Sequence, residues 1–115
     1  MYGENYSYNY GGYKESDNPP KIDRFDIKNK SNNVWAKFQI DWEVSDIDGD
    51  LEKITSVLNL GTDTHSTNIS GESDYGKHRL RERRGEDWYD VILTLTDSDG
   101  NDVTEEKSIY LGDAQ

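Results

Sequence analysis

The chain contains no cysteine, two prolines, two histidines and one methionine in 115 residues. Without cysteine there is no disulfide framework and no thiolate metal site. His65 and His78 are too few for a histidine-based zinc or catalytic constellation. No run of about 18 apolar residues occurs, so no membrane-spanning helix is predicted. Apolar residues make up 31% of the chain, against roughly 45–50% in ordinary domains, so the core is expected to be small. Positive charge is the minority sign: 13 Lys and Arg face 24 Asp and Glu, for a net charge of -11. A field of that sign repels phosphate and argues against nucleic acid as a partner. The opening Met1-Tyr2-Gly3-Glu4 lacks the basic-then-apolar pattern of a secretion signal. The expectation is an acidic, single-domain protein with a tail.

What is present falls into two zones. Five of the eight tyrosines (Tyr2, Tyr6, Tyr8, Tyr10 and Tyr13) sit in the first thirteen residues, spaced by Gly, Asn and Ser. With no aliphatic residues this segment cannot build a core. It reads either as an unstructured leader or as an arm that orders on a partner. Tyrosine favours the arm, because its ring offers contact area at low rotamer cost and its hydroxyl keeps a polar partner. Asn18-Pro19-Pro20 then punctuates the chain. The predicted division is an extended N-terminal arm and hinge over 1–19, a β-sandwich over 20–112 and a short tail over 113–115.

In the second zone Val34, Ala36, Phe38, Ile40, Trp42 and Val44 alternate with Trp35, Lys37, Gln39, Asp41 and Glu43. Tyr89, Val91, Leu93 and Leu95 alternate in the same way with polar or outward residues. Period two marks half-buried strands. Shorter strands are predicted near 21–28, 53–60, 64–69, 77–82 and 103–111, separated by Gly-, Asn- and Asp-rich turns. Seven short strands at this spacing predict an all-β, immunoglobulin-like antiparallel β-sandwich. Trp42 is predicted to be the central core ring. Tyr89, two residues before Val91, is placed where a sandwich can build a tyrosine corner. Trp35 and Trp88 fall on the opposite register, and with Tyr110 they read as edge aromatics or as an interface.

Residues 42–51 (WEVSDIDGDL) and 87–101 (DWYDVILTLTDSDGN) carry a family resemblance. The first resembles the B–C region of PKD-type immunoglobulin-like domains, and the second resembles their F–G hairpin. Residues 76–83 (GKHRLRER) are similar to the E strand of versions common in surface and secreted proteins of salt-loving archaea and their viruses. The resemblance covers about 20–111. It departs from the family at residues 58–63 (LNLGTD), which replace the usual Trp-Asp-Phe-Gly-Asp-Gly, so the standard C–D geometry is not expected there.

Two acidic turns are candidate calcium sites: Asp46, Asp48 and Asp50, and Asp97, Asp99 and Asn101. Hard oxygen ligands on alternate residues of a tight loop suit Ca²⁺. The competing reading is that Asp and Gly serve turn geometry, and the sequence leaves open whether the turns share an end. Lys77, Arg79, Arg81, Arg83 and Arg84 form a basic run that reverses the local sign. It reads either as intramolecular pairing across strands or as a dock for an acidic partner. No Gly-x-Ser-x-Gly elbow, phosphate-cradling glycine loop or His-x-x-x-His pair is present, and both histidines are predicted to face solvent. The chain is therefore not expected to be an enzyme.

Together these features predict a non-enzymatic virion decoration, turret or fibre-type protein. It would be anchored by its arm in a multi-copy or homo-oligomeric assembly with capsid or tail subunits, and displayed on the virion surface. The alternative is a cell-surface or secreted adhesion module that binds polysaccharide or protein, with calcium as its candidate cofactor; a host-surface glycan or protein is a further candidate partner. Neither reading involves nucleic acid or a membrane span.

Overall fold

The computed structural model describes residues 18–112; the tyrosines assigned to the arm lie outside the described residues. Seven strands follow in order: β1 (Lys21–Asn29), β2 (Trp35–Ser45), β3 (Leu51–Leu58), β4 (Asp63–Asn68), β5 (Ser73–Arg83), β6 (Trp88–Asp97) and β7 (Asp102–Tyr110). They form a three-stranded sheet, β1-β2-β5, and a four-stranded sheet, β4-β3-β6-β7. Every neighbouring pair is antiparallel. The chain is an immunoglobulin-like β-sandwich. Its fourth strand pairs with the third, so it is not the constant-type arrangement in which the fourth strand joins the sheet of the first, second and fifth.

Alternation decides which side chains fill the space between the sheets. Ala36, Phe38, Ile40, Trp42 and Val44 from β2 meet Ile54 and Leu58 from β3 and Tyr89, Val91, Leu93 and Leu95 from β6. All are buried, and Trp42 is the large core ring the sequence predicts. Val34 is the exception to the predicted apolar face. It precedes β2 and is 48% exposed, because pairing with β5 begins only at Trp35 opposite Arg83.

Tyr89 forms the predicted corner. Its fully buried ring packs on Phe38 at 5.7 Å, and its hydroxyl accepts backbone N–H bonds from Gly85 at 2.9 Å and Glu86 at 3.0 Å. On one side of the sandwich Lys107 of β7 reaches across to the Phe25 carbonyl of β1. On the other side β4 is almost wholly polar and exposed, which blunts that sheet edge against further pairing.

The departure at residues 58–63 has a specific form. A four-residue loop joins β3 to β4, with Leu58 paired to Asp63. Asn59, Leu60 and Gly61 all have positive φ, at 41°, 58° and 102°. Glu82 holds the loop by accepting from the Asn59 amide at 3.1 Å and from the Thr62 hydroxyl.

Candidate functional site

Strand direction places the acidic turns. Each strand reverses the last, so the connections after β2, β4 and β6 all lie at one end. The Asp46 and Asp97 turns are built alike. Gly49 N–H bonds the Asp46 carbonyl at 2.9 Å, and Gly100 N–H bonds the Asp97 carbonyl at 3.2 Å. In each, the first Asp also accepts from the N–H two residues on, Asp48 at 2.9 Å and Asp99 at 3.0 Å. Gly49 and Gly100 take the left-handed conformation (φ 71° and 91°) that ends such a turn. Ser98 N–H bonds the Asp50 carbonyl at 2.8 Å and ties the turns side by side.

The result brings three of the six predicted ligands together. One carboxylate oxygen each from Asp46, Asp50 and Asp97 lies within 4.8 Å of the others. Asp46 and Asp97 are 2% and 0% exposed, and Asp50 is partly buried. Among the described residues no Lys or Arg ion pair reaches Asp46 or Asp97. Asp46 Oδ2 is buried and accepts no hydrogen bond. Contacts with the Asp99 and Asp46 carboxyls, with burial, push the Asp50 carboxyl up to about 7.

The remaining candidates do other work. Asp48 accepts the Asn18 N–H at 2.7 Å and so fastens the start of the domain to this end. Asn101 donates its side-chain amide to Asp97 Oδ2 at 3.0 Å and its N–H to Oδ1 at 2.8 Å. Asp97 thus serves turn geometry and the cluster at once.

The basic run lies along β5 and spreads differently than a simple row. Arg79, Arg81 and Arg83 stand on the outer face of β1-β2-β5, opposite Gln39, Lys37 and Trp35. None of the three forms an ion pair among the described residues, so the intramolecular pairing reading does not describe them. The Arg81 and Arg83 guanidiniums lie 4.5 and 5.5 Å from the centre of the Trp35 ring. Arg84 turns inward and donates to the carbonyls of Asn32 at 2.8 Å and Leu111 at 3.2 Å. Lys77 sits opposite Asp41. Burial opposes ionisation of Asp41, but hydrogen bonds from Gln39 and Lys28 prevail and hold its carboxyl below its usual range.

His78 corrects the expectation of solvent exposure. It is 6% exposed, because position 78 shares the inward face of β5 with Leu80. Two hydroxyls from the other sheet make that burial tolerable: Ser56 Oγ lies 2.6 Å from Nδ1 and Thr67 Oγ1 2.9 Å from Nε2. Burial, with a smaller contribution from His65, lowers the His78 pKa to about 4. The Ser56–His78 pair has the two members of a nucleophile–base dyad, but Ser56 is fully buried. His65 is half-exposed and lies 3.5 Å from Asp63.

At the opposite end of β6, Trp88 and Tyr110 pair across strands with ring centres 5.0 Å apart and remain 59% and 55% exposed.

No protein-family model matches the chain, and no curated protein matches it. Solved structures of OgpA from Akkermansia muciniphila do share the fold. Wild-type OgpA in two crystal forms gives a TM-score of 0.61 at 8% and 10% identity. Catalytically inactive OgpA in complex with an O-glycopeptide (glycodrosocin) substrate gives 0.61 at 10%. The alignments cover 90% of this chain and 31%, 30% and 31% of those chains, so this chain spans under a third of their length. Likeness at that identity establishes the sandwich alone.

No helix among the described residues is long and apolar enough to cross a membrane.

Proposed function

We propose that this chain is a non-enzymatic, PKD-like interaction module that works outside the cell and is stiffened by calcium at its acidic end. Its placement is the virion surface, as a decoration, turret or fibre-type protein. The second placement is a cell-surface or secreted adhesion module. The observation that carries the reading is the convergence of Asp46, Asp50 and Asp97, two of them almost wholly buried, with one buried oxygen accepting no hydrogen bond. Buried carboxylates without a cation repel one another, and a divalent ion with water in its remaining positions removes that cost. Three carboxylates on two short turns suit the weak affinities of extracellular calcium modules, about 10⁻⁴–10⁻³ M, which cytosolic calcium does not fill.

Thermal unfolding in chelator against excess calcium tests the ion. At tenfold excess over Kd the expected gain is about 1.4 kcal/mol. That raises the midpoint by roughly 6–11 °C for a domain of this size. An unchanged midpoint rejects the calcium site. Recovery of the chain with purified particles separates the virion placement from the cell-surface one.

A further inference from the structure

We propose that the outer face of β1-β2-β5 carries a binding cleft for a linear anionic polysaccharide bearing carboxylate or sulfate groups. The face divides into two halves of different charge. Near the acidic end every cation has a carboxylate close by: Arg24 pairs with Asp26 and Glu43 at 2.7 and 3.3 Å, and Lys28 with Asp41 at 3.2 Å. Toward the other end the balance disappears. Lys37 pairs in register with Arg81, and Lys30 extends the same row through its N–H bond to the Lys37 carbonyl at 2.8 Å. Arg79 and Arg83 flank that row on the same strand face. None of these five cations has an ion-pair partner among the described residues.

Four of them, Lys30, Lys37, Arg79 and Arg81, line a cleft of about 650 Å³ that His65 of β4 also borders. Its one lining carboxylate, Asp63, is already engaged. Its Oδ2 accepts the Arg81 backbone N–H at 2.8 Å, and its Oδ1 lies 3.5 Å from His65 Nε2. These cations reverse the sign locally in a chain of net charge -11, and such a patch draws an anion to itself.

Cleft size and charge geometry select the anion. The backbone positions that carry these cations repeat about every 4.8 Å across strands and about every 6.6 Å along β5, a grid that suits charges repeated along a polymer. Planar guanidiniums bind carboxylate or sulfate oxygens in pairs. A cleft of this volume holds a few sugar rings, whereas a protein partner covers about 800 Å² of flatter surface. A nucleic acid carries denser charge, which the rest of the acidic surface repels. The proposal stands whether or not the Asp46, Asp50 and Asp97 cluster holds a cation.

The test is titration calorimetry in a chelating, low-salt buffer with oligogalacturonate, a sulfated dextran oligomer, neutral dextran and oligo-dT. Saturable binding to one or both anionic glycans, none to neutral dextran, and weaker binding to oligo-dT is the expected result. The glycan bound more tightly identifies the charged group as carboxylate or sulfate. Arg81→Glu should lower the affinity about tenfold or more, the loss of one charge-assisted contact. Lys53→Glu changes net charge equally but lies on the other sheet, and should change affinity less than about twofold. Circular dichroism checks folding, and Lys37→Glu replaces Arg81→Glu if that variant is unfolded. No saturable glycan binding, equal losses in the two charge variants, or tighter binding to oligo-dT would each overturn the proposal.

Discussion

Gly76 sets how closely β5 lies against the core, and its replacement by alanine tests that packing. Gly76 pairs directly with Trp42, and a Cβ built on it would lie 2.6 Å from Trp42 Cζ2 and 3.0 Å from Cη2. The indole has nowhere to go: it is 3% exposed and packs on the His78 ring at 5.6 Å. Relief requires rotating a buried tryptophan or parting β2 from β5. Overpacking of this kind costs about 1–3 kcal/mol, while replacing glycine within a strand returns about 0.5–1 kcal/mol. The expected net loss for Gly76→Ala is about 1–2 kcal/mol. The clashing atoms belong to the part of the indole that phenylalanine lacks. In a Trp42→Phe background the alanine should therefore be neutral or slightly stabilising, a coupling of about 2 kcal/mol. Trp42→Phe also removes the Nε1 donor, which is buried without an acceptor, so its own cavity cost is partly offset. Urea unfolding followed by far-UV circular dichroism measures all four proteins without relying on tryptophan emission. Wild-type stability for Gly76→Ala, or an equal loss in both backgrounds, would refute the packing argument.

Leu60 is 97% exposed at φ 58°, so Leu60→Gly removes left-handed strain without losing packing and should stabilise by about 0.5–1 kcal/mol in urea unfolding. Two groups, one partly buried and one buried, give opposite pH dependences. The raised Asp50 pKa makes its contribution to apo stability complete below about pH 4 and lost as pH rises through about 7. The lowered His78 pKa makes its contribution complete above about pH 6.5 and lost as pH falls toward about 4. In chelator, Asp50→Asn should raise the midpoint at pH 8 but not at pH 4, and it should abolish any calcium response. His78→Gln should flatten the acid limb between pH 6.5 and 4. Melting curves across pH check both, and a wild-type profile in either variant contradicts the corresponding assignment.

Strands and inward faces were readable because period two needs only local sequence. Phe38, Trp42, Tyr89 and Leu93 all point where alternation puts them. The acidic cluster was half legible. The spacing of Asp46, Asp48 and Asp50 and of Asp97, Asp99 and Asn101 identifies two turns of one design. Their convergence follows once both turns are counted as connections after even-numbered strands. Which carboxylate enters the cluster was not legible, since Asp48 is drawn off by Asn18, a neighbour only in the fold. His78 shows the same limit. Its inward register beside Leu80 was visible, but Ser56 and Thr67, which make burial possible, come from the opposite sheet. Lys30 and Lys37 join the basic run only through the pairing of β2 with β5 and with the end of β1.

The net charge of -11 is therefore an average over two poles. Asp46, Asp50 and Asp97 gather at the end where residue 18 is fastened by Asp48, while Trp35, Lys37, Arg81 and Arg83 lie toward the end reached by Leu111. The antiparallel pair of β2 and β5 spans the distance, from Ser45 opposite Ser73 to Trp35 opposite Arg83. A field arranged this way orients an approaching anion as well as attracting it. It repels the anion from the end that holds Asn18 and draws it to the cationic half. The Gly76 contact then bears on function as well as stability, because parting β5 from β2 would separate Lys37 from Arg81, the pair on which the cleft depends.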